Sequence, residues 1–145
     1  MLRVTKLTDY ATVVLTVLAA RPGVVLSAPE LADASGLEQP TVAKLLKPLA
    51  AAGLVQGFRG ASGGYRLAKP AEAISLIEIV EAMEGPLGMT ECSTAPGQCG
   101  IEHRCGVRNN WRHINDVVID ALRGVSLAQM LARAPHAVHA RMAQG

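Results

Sequence analysis

Cys92, Cys99 and Cys105 fall in one short stretch with the pattern C-x6-C-x5-C. Thiolates are soft ligands, so such a group suits an iron–sulfur cluster, a zinc ion or redox chemistry of the thiols themselves. The paired C-x2-C spacing of zinc ribbons and fingers is missing, which makes zinc a poorer fit without removing it. A cluster normally takes four protein ligands, so three cysteines leave one position to be supplied elsewhere. An odd number of cysteines also argues against the disulfide framework of a secreted domain. From spacing alone, cluster, zinc, redox thiols and no cofactor all stay open.

A second group of residues has different chemistry. Gln39, Thr41 and Lys44 sit at spacings that place them away from the apolar stripe of one helix, and Arg59, Gly60 and Ser62 occupy a glycine-rich loop. A helix of this kind fits the major groove of duplex DNA, where Gln39 can read an adenine and Thr41 and Lys44 can reach base edges or phosphates. Glycines let backbone amides approach phosphates closely, and an arginine at a loop tip suits a narrow minor groove.

The elements needed to hold these residues are legible. Thr8 is a candidate cap for a first helix running to about Ala20, with Ala11, Val14, Leu15 and Leu18 on one face. Ser27 and Glu30 have the capping-box spacing, and Leu31 and Ala34 point inward before Gly36 ends that helix. A third helix opens between Glu38 and Pro40 and buries Val42, Leu45, Leu46 and Leu49; Gly53 suits its end. Pro48 lies inside it and should kink or shorten it. A short strand begins at Leu54 and Val55, returns through Tyr65, Arg66 and Leu67, and leaves positions 57–64 as the loop. Helix, turn, helix and glycine-rich hairpin, in that order, over residues 27–67, predict a winged helix-turn-helix.

Ser75 with Glu78 forms a second capping box, opening a helix that buries Leu76, Ile79, Val80 and Met83 and stops at Gly85 and Pro86. The stretch from about Gly88 to Gly106 has neither helical nor strand period. Beyond it, Trp111, Ile114, Val118 and Ala121 recur at steps of three and four along a helix of about four turns that ends at Gly124. Ser126 and Gln129 cap a last short helix. The fold class is therefore mainly α, a winged helix-turn-helix domain over 1–84 with a small two-stranded wing. A cysteine-bearing loop follows over 85–106, then a long dimerisation helix with a short final helix over 107–133, and a flexible tail over 134–145.

Composition agrees. Of 145 residues half are hydrophobic but only 3% are aromatic, so the core must be built from Leu, Val, Ile and Ala. The net charge of +2 hides an asymmetry, with eight cationic and four acidic residues before position 71 and six and eight after it. One end is suited to a polyanion. The run Ala11 to Ala20 behind Arg3 and Lys6 imitates a signal peptide, but Asp9 abuts it and Arg21-Pro22 is a poor cleavage site. The chain is expected in the cytoplasm, with no membrane partner and no small-molecule substrate. No nucleophile–base pair or phosphate-binding glycine fingerprint points to an enzyme.

Leu7-Thr8-Asp9-Tyr10, the wing Arg59-Gly60-Ala61-Ser62-Gly63-Gly64-Tyr65, Ala73-Ile74-Ser75 and three cysteines before a Trp-bearing helix resemble the IscR/NsrR-type winged-helix regulators. Lys6 to Tyr10 and Gly85-Pro86 to Glu91-Cys92 are most similar to regulators of the SUF iron–sulfur assembly genes. The resemblance spans residues 1 to 133 and implies a homodimer joined by the Trp111 helix, binding operator DNA under the control of an iron–sulfur cluster, [2Fe-2S] or [4Fe-4S]. It makes Cys92, Cys99 and Cys105 cluster ligands. For the fourth ligand, the histidine that IscR-like members place three residues past the last cysteine is Arg108 here. Asp9 matches the N-terminal aspartate that NsrR-like members contribute from the other subunit, and His103 and His113 are substitutes. The expected function is a repressor of iron–sulfur assembly genes; the alternatives are a nitric-oxide-sensing repressor and a zinc or thiol sensor.

Overall fold

The computed structural model describes residues 3–88 and 107–132. The three cysteines, His103 and the tail expected from position 134 lie outside the described residues.

Helix α1 (Lys6–Ala19) opens one turn earlier than expected. Thr5 is its N-cap, in an extended conformation that lets its hydroxyl accept the Thr8 N–H at 3.2 Å. Thr8 is instead wholly buried, and its hydroxyl donates to Glu84 Oε2 at 2.8 Å. The expected face of Ala11, Val14, Leu15 and Leu18 is buried, but so are Val17 and Ala19. Helices pack on several sides of α1, which is the central strut of the core.

The next two helices follow their local signals. Helix α2 (Ala28–Ser35) carries the reciprocal Ser27–Glu30 capping box and ends at Gly36 in the left-handed conformation. Helix α3 (Gln39–Ala51) buries Val42, Leu45, Leu46 and Leu49. Its end is a Schellman closure, with the Gly53 N–H on the Ala50 carbonyl and the Leu54 N–H on the Leu49 carbonyl, both at 3.0 Å. Pro48 does not shorten α3, which continues through it to Ala51. The proline falls in the last turn, where only the carbonyl of solvent-exposed Lys44 loses its donor.

Closure of α3 feeds directly into the wing. Strands β1 (Val55–Phe58) and β2 (Gly64–Leu67) pair antiparallel, Val55 opposite Leu67 and Phe58 opposite Gly64. The strands thus run further than expected, and only 59–63 form the turn. Gly57, expected in the loop, pairs with Tyr65. A Cβ at Gly57 would lie 3.2 Å from Tyr65 Cε1, so the tyrosine ring occupies the space a side chain would fill.

A further contact was not anticipated. Leu26, just before the α2 cap, exchanges two backbone hydrogen bonds with Tyr65, at 2.8 and 2.7 Å. A Cβ at Gly64 would sit 2.4 Å from the Leu26 carbonyl oxygen. Only glycine permits this approach, which ties the wing to the base of the helix-turn-helix.

Helix α4 (Leu76–Glu84) has the Ser75–Glu78 capping box. It buries Ile77, Ile79 and Val80, while Leu76 and Met83, expected in the core, are half-buried. Packing against α1 and α3 on one side and a later helix on the other widens the buried face beyond a single stripe. Glu78 also meets Lys69 at 2.6 Å. Burial pushes its carboxyl up, but the Lys69 hydrogen bond and charge, with bonds from Ser75, outweigh this and hold it below the ordinary value.

Helices α5 (Arg108–Arg123) and α6 (Leu127–Ala132) complete the described chain. The linker between them is stitched to α4 by Leu76 N–H to the Val125 carbonyl and Leu127 N–H to the Ile74 carbonyl, both 2.8 Å. Leu127 is fully buried, and α6 packs on α1, so the end of the described chain returns to the DNA-reading unit. Ser126 and Gln129 cap α6 as expected.

Gly64→Ala should lower stability by about 1–3 kcal/mol, because the new methyl must force the wing away from Leu26. Gly124→Ala, whose Cβ would meet nothing closer than 3.5 Å, is the control and should be near neutral. Thermal unfolding of the two variants checks this.

Candidate nucleic-acid interface and the groove beside Asp9

The first turns of α3 and the tip of the wing present the expected DNA-reading residues to solvent. Gln39 and Lys44 are exposed, and Thr41 is half-buried beside the Val42 stripe. Arg59, Gly60 and Ser62 lie in the turn between β1 and β2, exposed. A groove between α3 and the wing is lined by Lys44 and Lys47 from the helix and by Tyr65 from β2. Helix and wing therefore form one continuous surface.

What the cations touch separates this surface from the rest. Lys69 is held by Glu78, Arg123 by Asp120, and Arg66 stacks over the Phe58 ring at 4.9 Å while bonding Gln56. Arg3, Arg21 and Arg112 also make contacts. Lys44, Lys47 and Arg59 make none with any described residue, and among the other cations whose side chains are described only Lys6 shares that. Surface charges left without counter-charge on one face make a polyanion site. Lys47, which the helical spacing also places off the apolar stripe, is exposed, and its freedom from partners is visible only in three dimensions.

Asp9 lies in the first turn of α1, exposed, and its carboxylate has no partner among the described residues. It lines a second groove with Lys6, Thr8, Glu84 and the 85–88 segment. The Thr8–Glu84 hydrogen bond fastens the start of α1 to the end of α4 at this point. The chain then runs from Gly88 toward Cys92, four residues on, a span of at most about 14 Å. Among the described residues no three His, Cys, Asp or Glu side chains gather as a metal site.

Helix α5 carries an apolar face that is largely exposed. Trp111 is 38% exposed, Ile114 40% and Val117 53%; Ala121 is exposed and Val118 half-buried. The three-and-four spacing picks Val118, yet its neighbour Val117 is the more exposed of the two. The buried polar residue Asn115 marks the inner side of the helix. His113 is exposed on α5. No described helix is long and apolar enough to cross a membrane.

Comparison with known proteins gives the class. The Rrf2 family, described as iron-dependent transcriptional regulators, matches residues 4–133. The chain belongs to this family. It is a transcription regulator and not an enzyme, and family members bind DNA and are typically dimers. Protein aau3 of Rhizobium meliloti (strain 1021) is 33% identical over 135 residues, covering 92% of this chain and 88% of that protein. Among solved structures, CymR (YrzC), the global cysteine regulator of B. subtilis, superposes with a TM-score of 0.72 at 27% identity, covering 93% of this chain and all of that one. T. potens IscR superposes with a TM-score of 0.68 at 28% identity, covering 94% of this chain and 90% of that one. The winged-helix fold read from sequence is the fold of these regulators.

Replacing Arg59 by Ala should weaken binding to a duplex selected from a random pool by about 1–3 kcal/mol and flatten its salt dependence. Lys44→Ala should act in the same direction. Fluorescence anisotropy at several salt concentrations reads both, with Arg123→Ala, a cation already spent on Asp120, as the unaffected control.

Proposed function

We propose that this Rrf2-family regulator is a homodimeric repressor of iron–sulfur assembly genes whose operator affinity follows the state of an iron–sulfur cluster. The observation that carries the reading is the free Asp9 carboxylate in the groove that the chain leaves just before Cys92. Cys92, Cys99 and Cys105 supply thiolates, and Asp9 supplies a fourth, harder donor, from this chain or its partner. Three thiolates with one oxygen ligand suit iron, and a carboxylate there makes the bound group more labile than a fourth thiolate would. The cluster, when bound, supplies chemistry that responds to oxidation state and to nitric oxide.

This chain's own residues do the coupling. Thr8 and Glu84 hold the α1 start against the α4 end, so Asp9 keeps a fixed place relative to the departing 85–88 segment. The cysteine segment lies in sequence between the wing-bearing domain and α5. Ligation of Cys92, Cys99 and Cys105 then sets where α5 stands. Trp111, Ile114, Val117, Val118 and Ala121 pair with the same face of a second copy, and the placement of α5 sets how two wings span an operator.

Two other readings have support. Asp9 favours a nitric-oxide-sensing repressor. The likeness to a global cysteine regulator favours a thiol-based sensor without a cluster.

Anaerobic purification separates these. The wild type should be brown, with iron and sulfide in near-equal amounts, and Asp9→Ala should lose its visible absorbance several-fold faster in air. A colourless, iron-free protein that takes up no cluster on reconstitution would overturn the cluster reading in favour of the thiol sensor. Release from DNA at low equivalents of nitric oxide would favour the second reading.

A further inference from the structure

From Ala34 to Ala71 the chain holds a single acidic residue, Glu38, and it stands at the front of α3. Helices α1, α2 and α4 start from a Thr or Ser whose hydroxyl accepts an N–H of the first turn. Glu38 holds the same position in α3, in an extended conformation, yet its side chain makes no capping bond. Glutamate is also outside the set of residues that cap well. Its backbone is fixed, because its carbonyl accepts the Val42 N–H at 3.1 Å. The side chain is exposed and has no partner among the described residues. A bare carboxylate therefore sits at the end of α3 that carries Gln39 and Thr41. The free cations of the same surface are Lys44, Lys47 and Arg59. Toward phosphates such a carboxylate is repulsive. It is compatible with tight binding only where it meets a hydrogen-bond donor.

The chemistry of the base edges selects the partner. A carboxylate only accepts hydrogen bonds. In the major groove guanine offers the acceptors N7 and O6, and thymine offers O4 and a methyl group. Adenine has an N6 amine, but the acceptor N7 beside it repels a carboxylate. Cytosine alone presents a donor, its N4 amine, with no acceptor of its own beside it. We propose that Glu38 is a specificity residue: its carboxylate accepts from the N4 amine of one cytosine in the operator and excludes the other bases from that position. This role presupposes α3 in the major groove. It adds a discrimination that phosphate contacts cannot supply, since these favour every sequence alike. A wrong base leaves the carboxylate desolvated and unpaired, so the penalty falls on non-cognate DNA. With no capping bond to keep, the Glu38 side chain is available for it.

The full-length wild type and Glu38→Ala are each used to select duplexes from a random pool. The wild-type pool should carry a cytosine at one position where the Glu38→Ala pool accepts any base. Fluorescence anisotropy then compares the duplex selected by the wild type with a random-sequence duplex of the same length. Glu38→Ala should weaken binding to the selected duplex roughly tenfold. It should tighten binding to the random duplex a few-fold, because a repulsion is removed. The opposite signs separate base recognition from a structural role, which would weaken both. Glu38→Gln should move the preference at that position toward adenine, whose N6 and N7 suit an amide. The melting temperature of both variants should stay near that of the wild type, as no capping bond is lost. Identical base frequencies in the wild-type and Glu38→Ala pools overturn the proposal, and so does equal weakening on both duplexes. A wild type that enriches no sequence and binds neither duplex would instead defeat the DNA-binding reading itself.

Discussion

Two backbone hydrogen bonds between Leu26 and Tyr65 hold the working parts of this protein together. A two-stranded hairpin is marginal alone, and the wing is no larger than that. Pairing with Leu26 gives it a third partner at the point where α2 begins. The Schellman closure at Gly53 fixes its other end to α3. The wing is therefore clamped to both helices of the DNA-reading unit, and Gly64 is the residue that lets the clamp close. Without this constraint Arg59 would hang on a mobile hairpin, and Tyr65 would have no fixed place beside Lys44 and Lys47.

Charge is distributed to match that scaffold. Cations away from the α3–wing surface are mostly spent on protein partners such as Glu78 and Asp120, while Lys44, Lys47 and Arg59 are left free. The groove beside Asp9 has a different character. There Asp9 is free, and the Thr8–Glu84 bond joins the first helix to the end of α4, where the chain departs toward the cysteines. Helix α5 carries its apolar face away from the core, yet Leu127 in α6 returns to it. A displacement of α5 is thus connected by a short, hydrogen-bonded linker to the domain that carries α3 and the wing.

Local chemistry was the legible part. The Ser27–Glu30 and Ser75–Glu78 boxes, the buried stripe of α3 and the glycine end at Gly53 all depend on residues within a turn of one another. What failed to be read depends on distance or competition. Thr5 and Thr8 can both cap, and only the presence of Glu84 across the fold decides that Thr8 goes inward. Met83 packs on the core cluster while staying half-buried, and Ile77 is buried instead, because α4 is covered by more than one neighbour. The Leu26–Tyr65 pair joins residues far apart in sequence, and no pattern announces it. Helical spacing turns Lys47 outward, but only the fold gives Lys69 a carboxylate and leaves Lys47 bare. Asp9 and the DNA-reading residues were named from motif and resemblance, and the structure adds which of their side chains are free.

In the proposed function, the cysteine segment governs the DNA-reading face. The most direct measurement is an anaerobic titration of one selected duplex with the same protein preparation before and after iron–sulfur reconstitution. Coupling of the usual size between two sites, about 1–3 kcal/mol, predicts that the two affinities differ by roughly 5- to 150-fold. Identical affinities for the iron-free protein and for a protein carrying stoichiometric cluster would contradict it.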